Sequence, residues 1–154
     1  MKHVVIAVLL AWLAVPAAWA APEGGTTAAP GAATAAVPAG VMDFVQGWAR
    51  AWSGKDVNAY LAAYADDFRL PPGFASKKAW EARRRARIAG KAWIRVELRD
   101  IRARRRKGLW LVTFFQRYES DSYRDESFKQ LALRPGPGGL RIVEERSVPA
   151  REGL

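Results

Sequence analysis

The chain has 154 residues, with 25 Lys and Arg against 15 Asp and Glu, no Cys and a single His at position 3. This length suits one domain. The lack of Cys in the sequence excludes disulfides, thiolate metal sites and a cysteine nucleophile. If the first twenty residues are removed, no imidazole remains, which excludes catalysis that depends on His in the rest of the chain.

The N-terminus has the pattern of an export signal. A basic start and an unbroken apolar run at 4–15 precede Pro16 and a small-x-small pattern that ends at Ala20. These features predict a signal peptide over residues 1–20. The alternative is an uncleaved anchor, because the apolar stretch is near the shortest length that crosses a bilayer. In both cases we expect the remainder to be periplasmic or secreted, with no membrane span after cleavage.

The next segment is poor in large side chains. Residues 21–40 contain 8 Ala, 4 Gly, 3 Pro and 3 Thr, and Glu23 is their one charge. Such a composition buries too little apolar surface to offset the entropy of ordering. It predicts a disordered linker at 21–40 and a folded domain at 41–154.

Three helices are predicted at the start of the domain. The first carries apolar residues at offsets of 0, 3, 4, 7 and 11 from Val41 and ends at Ser53-Gly54. Asp56 is placed to cap a second helix, which carries Tyr60, Leu61, Tyr64 and Phe68. After Pro71-Pro72-Gly73, Ser76 can cap a third helix that runs to about Ile88 and stops at Gly90.

After Gly90 the hydrophobic period changes from that of a helix to that of a strand. The first strand begins at Ile94, and its alternation slips after Arg99, which predicts a bulge. Further strands are predicted at about 109–118, 123–133 and 140–146, separated by turns at Gly108 and at the Pro135–Gly139 stretch. Helices followed by hairpin-connected strands predict an α+β domain, with three N-terminal helices packed on a curved antiparallel sheet of about four strands.

Short phrases in this domain resemble a known superfamily. The phrases are Ala51-Trp52-Ser53-Gly54-Lys55-Asp56, Tyr60-Leu61 and Tyr64-Ala65-Asp66-Asp67-Phe68, and they resemble the nuclear-transport-factor-2-like (NTF2-like, SnoaL-like) superfamily over about 41–148. Pro72-Gly73, Ser76, Trp80-Glu81, Arg83-Arg84, Arg87-Ile88 and Arg141-Ile142-Val143-Glu144-Glu145 are similar to the cone-shaped envelope module that accompanies L,D-transpeptidase-type proteins.

The resemblance implies a cone in which helices close the concave face of a bent sheet over a pocket. It does not imply one function, because the superfamily includes isomerases, dehydratases, cyclases and non-catalytic binding modules. It also implies a possible sheet-to-sheet homodimer. The associated transpeptidases attack with a Cys in a separate domain, and this chain contains no Cys.

Two basic clusters offer a candidate binding surface. The binding candidates are Arg83, Arg84, Arg87, Arg102, Arg104, Arg105 and Arg106. They are either a charged surface that keeps the protein soluble or a footprint for an anionic partner. Export disfavours nucleic acid, so the expected partner is an anionic envelope polymer or an envelope protein. Arg suits bidentate contacts with carboxylate or phosphate.

Aromatic side chains are the candidates for the pocket lining, with Tyr60, Tyr64, Trp93, Trp110 and Phe114 selected. The alternative is that they form the core, since a domain of this size needs large side chains to bury enough area.

An enzyme with this fold and without His would need Tyr, Asp or Glu as its acid-base groups. Alternation along the second and fourth strands predicts that Tyr118 and Glu144 point into the cone, with Asp66 or Asp67 as a third group. The alternatives are a rim tyrosine, a glutamate paired with an arginine and aspartates at a helix end.

The sequence contains no nucleotide-binding or phosphate-loop motif, and its carboxylates are scattered, so neither a cofactor nor a metal is expected. The leading hypothesis is an exported, non-catalytic binding or assembly module of the cell envelope, and the alternative is a small-molecule isomerase or cyclase.

Overall fold

The computed structural model describes residues 36–149, except for the side chains of 148 and 149. The predicted signal peptide and most of the predicted linker lie outside the described residues. The elements, in chain order, are α1 (Ala39–Ser53), α2 (Val57–Ala62), α3 (Lys77–Ala89), β1 (Ile94–Arg106), β2 (Leu109–Ser120), β3 (Arg124–Gly136) and β4 (Gly139–Pro149).

Helix α1 begins at Ala39, inside the stretch predicted to be linker, because Val41 N–H already donates to Pro38 O. Its buried residues follow the predicted stripe and are Val41, Val45, Trp48, Ala49 and Trp52. The helix ends at Gly54, as predicted, and the chain then turns through Lys55, which has a φ of 59°.

Helix α2 is shorter than predicted. Asp56 caps it by accepting a hydrogen bond from Ala59 N–H, but the helix stops at Ala62. The chain beyond it runs beside β4, where Ala65 N–H donates to Ile142 O at 2.9 Å and Ile142 N–H donates to Ala63 O at 2.8 Å. Pairing with the strand edge therefore replaces the helical hydrogen bonds that the periodic apolar pattern had predicted.

Helix α3 presents one face to the core and the rest to solvent. Ser76 accepts a hydrogen bond from Ala79 N–H at 3.2 Å, which confirms the predicted cap. Trp80 and Ile88 are the buried residues of this helix, and most of its other positions are basic or small and exposed. The helix ends at Gly90, as predicted.

The four strands form one antiparallel meander in the order β1-β2-β3-β4. The first hairpin turns at Lys107-Gly108, where both residues have positive φ angles of 48° and 80°. Such two-residue turns follow the right-handed twist of the paired strands, and the second position favours Gly. Three helices packed on a curved four-stranded sheet confirm the predicted fold class.

Two strands contain an irregularity. In β1 the pairing with β2 shifts between Arg99 and Arg102, and Asp100 has a φ of 55°, so the predicted bulge is confirmed. In β4, Glu144 pairs with Ala132 and Ile142 pairs with Leu133, which leaves Val143 as an extra residue. Val143 O accepts a hydrogen bond from Arg69 N–H at 2.9 Å. This second bulge was not predicted, and it changes which residues of β4 face the helices.

The core lies between the helices and the inner face of the sheet. Its largest fully buried side chains are Trp80, Tyr60, Phe114, Leu131, Leu133 and Ile142. On the outer face of the sheet, Phe115 and Phe128 are half-buried and contact each other edge to face, with ring centroids 5.4 Å apart.

Candidate functional site

A cavity of about 500 Å³ lies between α3 and the inner face of β2 and β3. Its lining residues are Trp52, Arg84, Arg87, Ile88, Lys91, Gln116, Tyr118, Tyr123, Asp125 and Lys129. This volume falls within the range of small-molecule sites in proteins. Five of the ten lining residues are charged, so the cavity can hold a charged ligand.

Helix α3 supplies the basic wall of the cavity. Arg84, Arg87 and Ile88 are three and four residues apart, so they share one helix face. The Arg84 guanidinium lies over the Trp80 ring, 5.5 Å from its centroid, and is held there by the core. Lys91 follows the helix and its Nζ donates to Ser122 Oγ at 2.7 Å. Three cations therefore line one side of the cavity.

The sheet supplies the opposite wall. Tyr118 on β2 is directly paired with Asp125 on β3, and both line the cavity. Gln116 is paired with Ser127, and both residues are buried. Gln116 Oε1 and Ser127 Oγ have no hydrogen-bond partner within residues 36–149. Buried polar atoms without partners are rare in folded proteins, so this wall retains unused capacity for hydrogen bonds.

Lys129 connects the cavity to a buried network of charged and polar groups. Its Nζ donates to Glu145 Oε1 and to Ser147 Oγ, each at 2.5 Å. The Lys129 and Glu145 side chains are only 8% and 6% exposed. Because both charges are removed from water, each depends on the other for compensation.

Two tyrosines complete this network. Tyr64 Oη donates to Glu145 Oε2 at 2.7 Å and lies 2.9 Å from Tyr60 Oη. Trp48 Nε1 donates to Tyr64 Oη at 3.2 Å. The aromatic core thus ends in a chain of hydroxyl groups that leads to one carboxylate.

The network fixes the charge state of its members. Burial acts to raise the pKa of Glu145, but the Lys129 and Arg84 cations and the hydrogen bonds from Lys129 and Tyr64 outweigh it, so the pKa lies below its usual value. Burial and the Glu145 charge raise the pKa of Tyr64 well above its usual value. Glu145 is therefore ionised near neutral pH while Tyr64 stays protonated.

The predicted acid-base group is not assembled. Tyr118 lines the cavity as expected, but Glu144 does not. Glu144 Oε1 lies 3.2 Å from Arg69 Nη1 and 2.8 Å from Arg146 Nη2, outside the cavity. The predicted orientation of Glu144 is wrong, because the extra residue Val143 reverses the alternation of β4 and places the Glu145 side chain inside.

The two aspartates nominated as a third group also lie elsewhere. Asp67 forms a bidentate pair with Arg134, at 2.8 and 2.5 Å, and its side chain is 65% exposed. Asp66 is exposed, and its Oδ1 lies 3.2 Å from Lys77 Nζ. Neither residue lines the cavity that contains Tyr118.

The predicted binding arginines fall on two separate surfaces. Arg84 and Arg87 line the cavity, whereas Arg83 lies over the Phe74 ring, 5.6 Å from its centroid. The second group, Arg102, Arg104, Arg105 and Arg106, lies exposed at the far end of β1. Arg105 pairs with Trp110, and Tyr118 lies eight residues further along β2, so Arg105 is about 26 Å from Tyr118 on the cavity wall.

The predicted pocket aromatics do not line the cavity. Tyr60, Tyr64 and Phe114 are buried in the core, which was the alternative interpretation. Trp93 is 45% exposed, and Trp110 is half-buried beneath Arg105. The core side chains Tyr60, Tyr64 and Phe114 therefore fill the space between the helices and the sheet that the resemblance had assigned to a pocket.

The polar residues Asp125, Lys129 and Glu145 were not predicted at the site. The period of β3 contained a signal for two of them, since Leu131 and Leu133 face the core and Lys129 and Asp125 share their side of the strand. Continuing the alternation of β2 from Phe114 gave Gln116. Glu145 had no such signal, because its position depends on the bulge.

No helix between residues 36 and 149 is long and apolar enough to cross a membrane. Over the same part of the chain, no group of three or more His, Cys, Asp or Glu side chains is arranged to hold a metal ion.

Solved structures share this architecture. Bd1075 of Bdellovibrio bacteriovorus is 28% identical, with a TM-score of 0.65, and the match covers 71% of this chain and 39% of that protein. A variant of the helical cell shape determining protein Pgp2 of Campylobacter jejuni is 17% identical, with a TM-score of 0.62, and the match covers 69% of this chain and 39% of that protein. The present chain thus spans about two fifths of each of these proteins.

A candidate dehydratase of the NTF2-like family from Streptomyces avermitilis is 15% identical, with a TM-score of 0.62, and the match covers 71% of this chain and 93% of that protein. No curated protein matches the chain. Residues 40–146 match the family model of the Cds6 C-terminal NTF2-like domain. Because this match covers more than half of the sequence, the chain belongs to the Cds6 C-terminal NTF2-like domain family.

Proposed function

We propose that the chain is an exported, non-catalytic binding module of the bacterial cell envelope, which holds an anionic group of an envelope polymer in the cavity beside α3. The cavity supports this proposal because Arg84, Arg87, Lys91 and Lys129 face it against one carboxylate, Asp125. A net charge of +10 adds long-range attraction for a polyanion.

Arg87 carries the proposal. It is exposed on the cavity wall and forms no ion pair with any residue of the described range 36–149. A free guanidinium offers a planar pair of N–H donors that fits a carboxylate or phosphate. Lys129, in contrast, is already occupied by Glu145 and Ser147.

An envelope location is supported by two further observations. The N-terminal pattern predicts export. One structural relative, Pgp2, is named for determining helical cell shape. By analogy with the envelope modules that accompany L,D-transpeptidase-type proteins, we propose that this domain positions envelope material for a separate enzyme, since this chain has no Cys to act as a nucleophile.

Retention on isolated peptidoglycan sacculi tests the proposal. We expect Arg87→Glu to weaken retention about tenfold and moderate salt to weaken it further, because charge drives the contact. The matched control is Arg85→Glu, since Arg85 lies on the same helix but contacts Asn58 and does not line the cavity. Equal retention of the Arg87→Glu and Arg85→Glu variants at every salt concentration would disprove a role for the cavity.

Self-association is a separate part of the proposal. We propose that the outer face of the sheet, which presents the half-buried Phe115 and Phe128 pair, joins two copies of the domain as in other members of the superfamily. Sedimentation of the wild type and of Phe128→Glu tests this. A wild type that sediments as a monomer at micromolar concentration would rule out the dimer.

The competing function is a small-molecule isomerase or cyclase, and one observation favours it. Tyr118 and Asp125 are cross-strand neighbours on the cavity wall, so a hydroxyl and a carboxylate face the same space. This function predicts that Tyr118→Phe abolishes turnover, whereas Glu144→Gln leaves it unchanged because Glu144 lies outside. The binding function predicts that sacculi retain the Tyr118→Phe variant as well as they retain the wild type. Deuterium incorporation into an enolisable ketone during incubation with the protein would favour the enzyme.

A further inference from the structure

Asp125 is a carboxylate without a counter-ion on the wall of a basic cavity. It is half-buried on β3 and forms no ion pair within residues 36–149. Its neighbours Arg124 and Glu126 point to the other face of the sheet, where they lie within salt-bridge distance of Glu119 and Arg117. Alternation along the strand thus separates Asp125 from the charges beside it in sequence.

Asp125 and the cations of α3 line the same cavity without forming an ion pair within residues 36–149. An ion pair needs its nitrogen and oxygen atoms within 4 Å, and none of the contacts formed by Asp125 reaches Arg84, Arg87 or Lys91. Lys129 shares the sheet wall with Asp125 but is paired with Glu145, so Asp125 is the unpaired charge of that wall and faces the cations of α3 across the cavity.

A purely anionic ligand would meet attraction on one wall and repulsion on the other. A ligand with adjacent negative and positive groups would be attracted by both walls. The buried amide of Gln116, whose Oε1 has no partner in the described chain, gives the same wall further polar capacity between the charges.

We propose that the cavity binds a zwitterion, an α-amino carboxylate whose carboxylate lies against Arg84 and Arg87 and whose ammonium lies against Asp125. This inference rests on the proposed function and deepens it, because it names the kind of anionic group that the cavity holds. Asp125 then determines specificity, because it favours a carboxylate that carries an adjacent ammonium over a carboxylate that does not.

A panel of three related compounds tests the inference by calorimetric titration of the purified protein at low salt. The probes are meso-2,6-diaminopimelate, pimelate, which lacks the amines, and 1,5-diaminopentane, which lacks the carboxylates. We expect diaminopimelate to bind about tenfold more tightly than pimelate and the diamine to show no binding, because a charge-assisted contact to Asp125 is gained only by the zwitterion.

Asp125→Asn should remove this preference. Binding of diaminopimelate should weaken about tenfold, while binding of pimelate should strengthen because the repulsive charge is gone. The control is Glu126→Gln, which makes the same carboxylate-to-amide change on the adjacent residue. Because Glu126 faces the other side of the sheet, this substitution should alter neither affinity. Circular dichroism of both variants confirms that the fold is kept.

The outcomes separate the two proposals. Equal binding of diaminopimelate and pimelate, unchanged by Asp125→Asn, would overturn the zwitterion inference and leave the anion-binding function intact. Absence of binding by diaminopimelate at millimolar concentration, with sacculi retention still dependent on Arg87, would also overturn only the inference. Loss of both binding and Arg87-dependent retention would overturn the proposed function itself.

Discussion

Glu145 and Lys129 hold opposite charges beneath the cavity, and neither can be removed alone without leaving the other uncompensated. Their side chains are 6% and 8% exposed, and Tyr64 supplies the remaining hydrogen bond to the carboxylate. In such pairs the cost of desolvation approaches the Coulombic gain, so the pair contributes little net stability while the loss of one member is expensive.

Glu145→Gln should therefore destabilise the fold by about 3–5 kcal/mol, because Lys129 would remain as a buried charge without a partner. Urea denaturation followed by fluorescence measures the change. The double variant Glu145→Gln with Lys129→Met should recover much of the loss. A destabilisation below about 1 kcal/mol for the single variant would show that Lys129 is solvated in the native state.

The same carboxylate predicts a pH dependence. The pKa of Glu145 is lower in the folded state than in the unfolded chain, so its contribution is present above the unfolded pKa of about 4.3 and is lost as the pH falls through the folded pKa. We expect the free energy of unfolding to fall more steeply below about pH 4 for the wild type than for Glu145→Gln. Parallel pH profiles of the two proteins would contradict this assignment.

At the level of single residues, the sequence predicted the types of side chain better than their positions. Tyr118 was correctly placed on the cavity wall by alternation along β2. Glu144 was placed there by the same reasoning on β4, where Val143 breaks the alternation. The position of the bulge is stabilised by the hydrogen bond from Arg69 N–H to Val143 O, which joins residues distant in sequence and leaves no local pattern.

Among the secondary-structure elements, α3 has the most direct connection to the site. It carries Arg84 and Arg87, and its first turn depends on Ser76, whose hydroxyl accepts a hydrogen bond from Ala79 N–H. Loss of this capping hydrogen bond would loosen the first turn of α3, the helix that carries the two arginines of the cavity wall.

Ser76→Ala should destabilise the protein by about 1 kcal/mol, because an N-terminal N–H of the helix loses its acceptor. Ser76→Asp should retain the stability, since Asp is an equally good cap and its charge suits the positive end of the helix. Thermal unfolding compares the three proteins. Equal destabilisation by Ala and Asp would show that the hydroxyl acts through packing and not as a cap.

The helix boundaries show where local signals suffice. The stops at Gly54 and Gly90, the caps at Asp56 and Ser76 and the bulge after Arg99 are set by nearby residues and were predicted. The end of α2 was not predicted, because it is decided by pairing between Ala65 and Ile142. Propensity and periodicity describe one segment at a time, and competition from a distant strand overrides them.

For the whole molecule, the important feature is the separation of its cationic surfaces. Arg105, in the group at 102–106, and Tyr118, on the cavity wall, lie about 26 Å apart along the sheet. This distance exceeds the Debye length of about 8 Å at physiological salt, so the two surfaces act independently on a ligand.

Replacing Arg102, Arg104, Arg105 and Arg106 together by Gln should reduce the salt dependence of sacculi retention. It should leave calorimetric binding of diaminopimelate within about twofold of the wild type, because that ligand fits inside the cavity and the replaced charges are screened from it. Titrations at two salt concentrations make the comparison. A loss of diaminopimelate binding in this variant would show that the two surfaces form one site.

The pairing of residues 63–69 with β4 also affects whether copies of the domain can associate edge to edge. That segment occupies the border of the sheet at Ile142 and Val143, and the opposite border, β1, carries exposed arginines that repel an identical strand. Strand addition from a neighbouring copy is thus opposed at both borders. A high local concentration of the domain should therefore not lead to edge-to-edge fibrils.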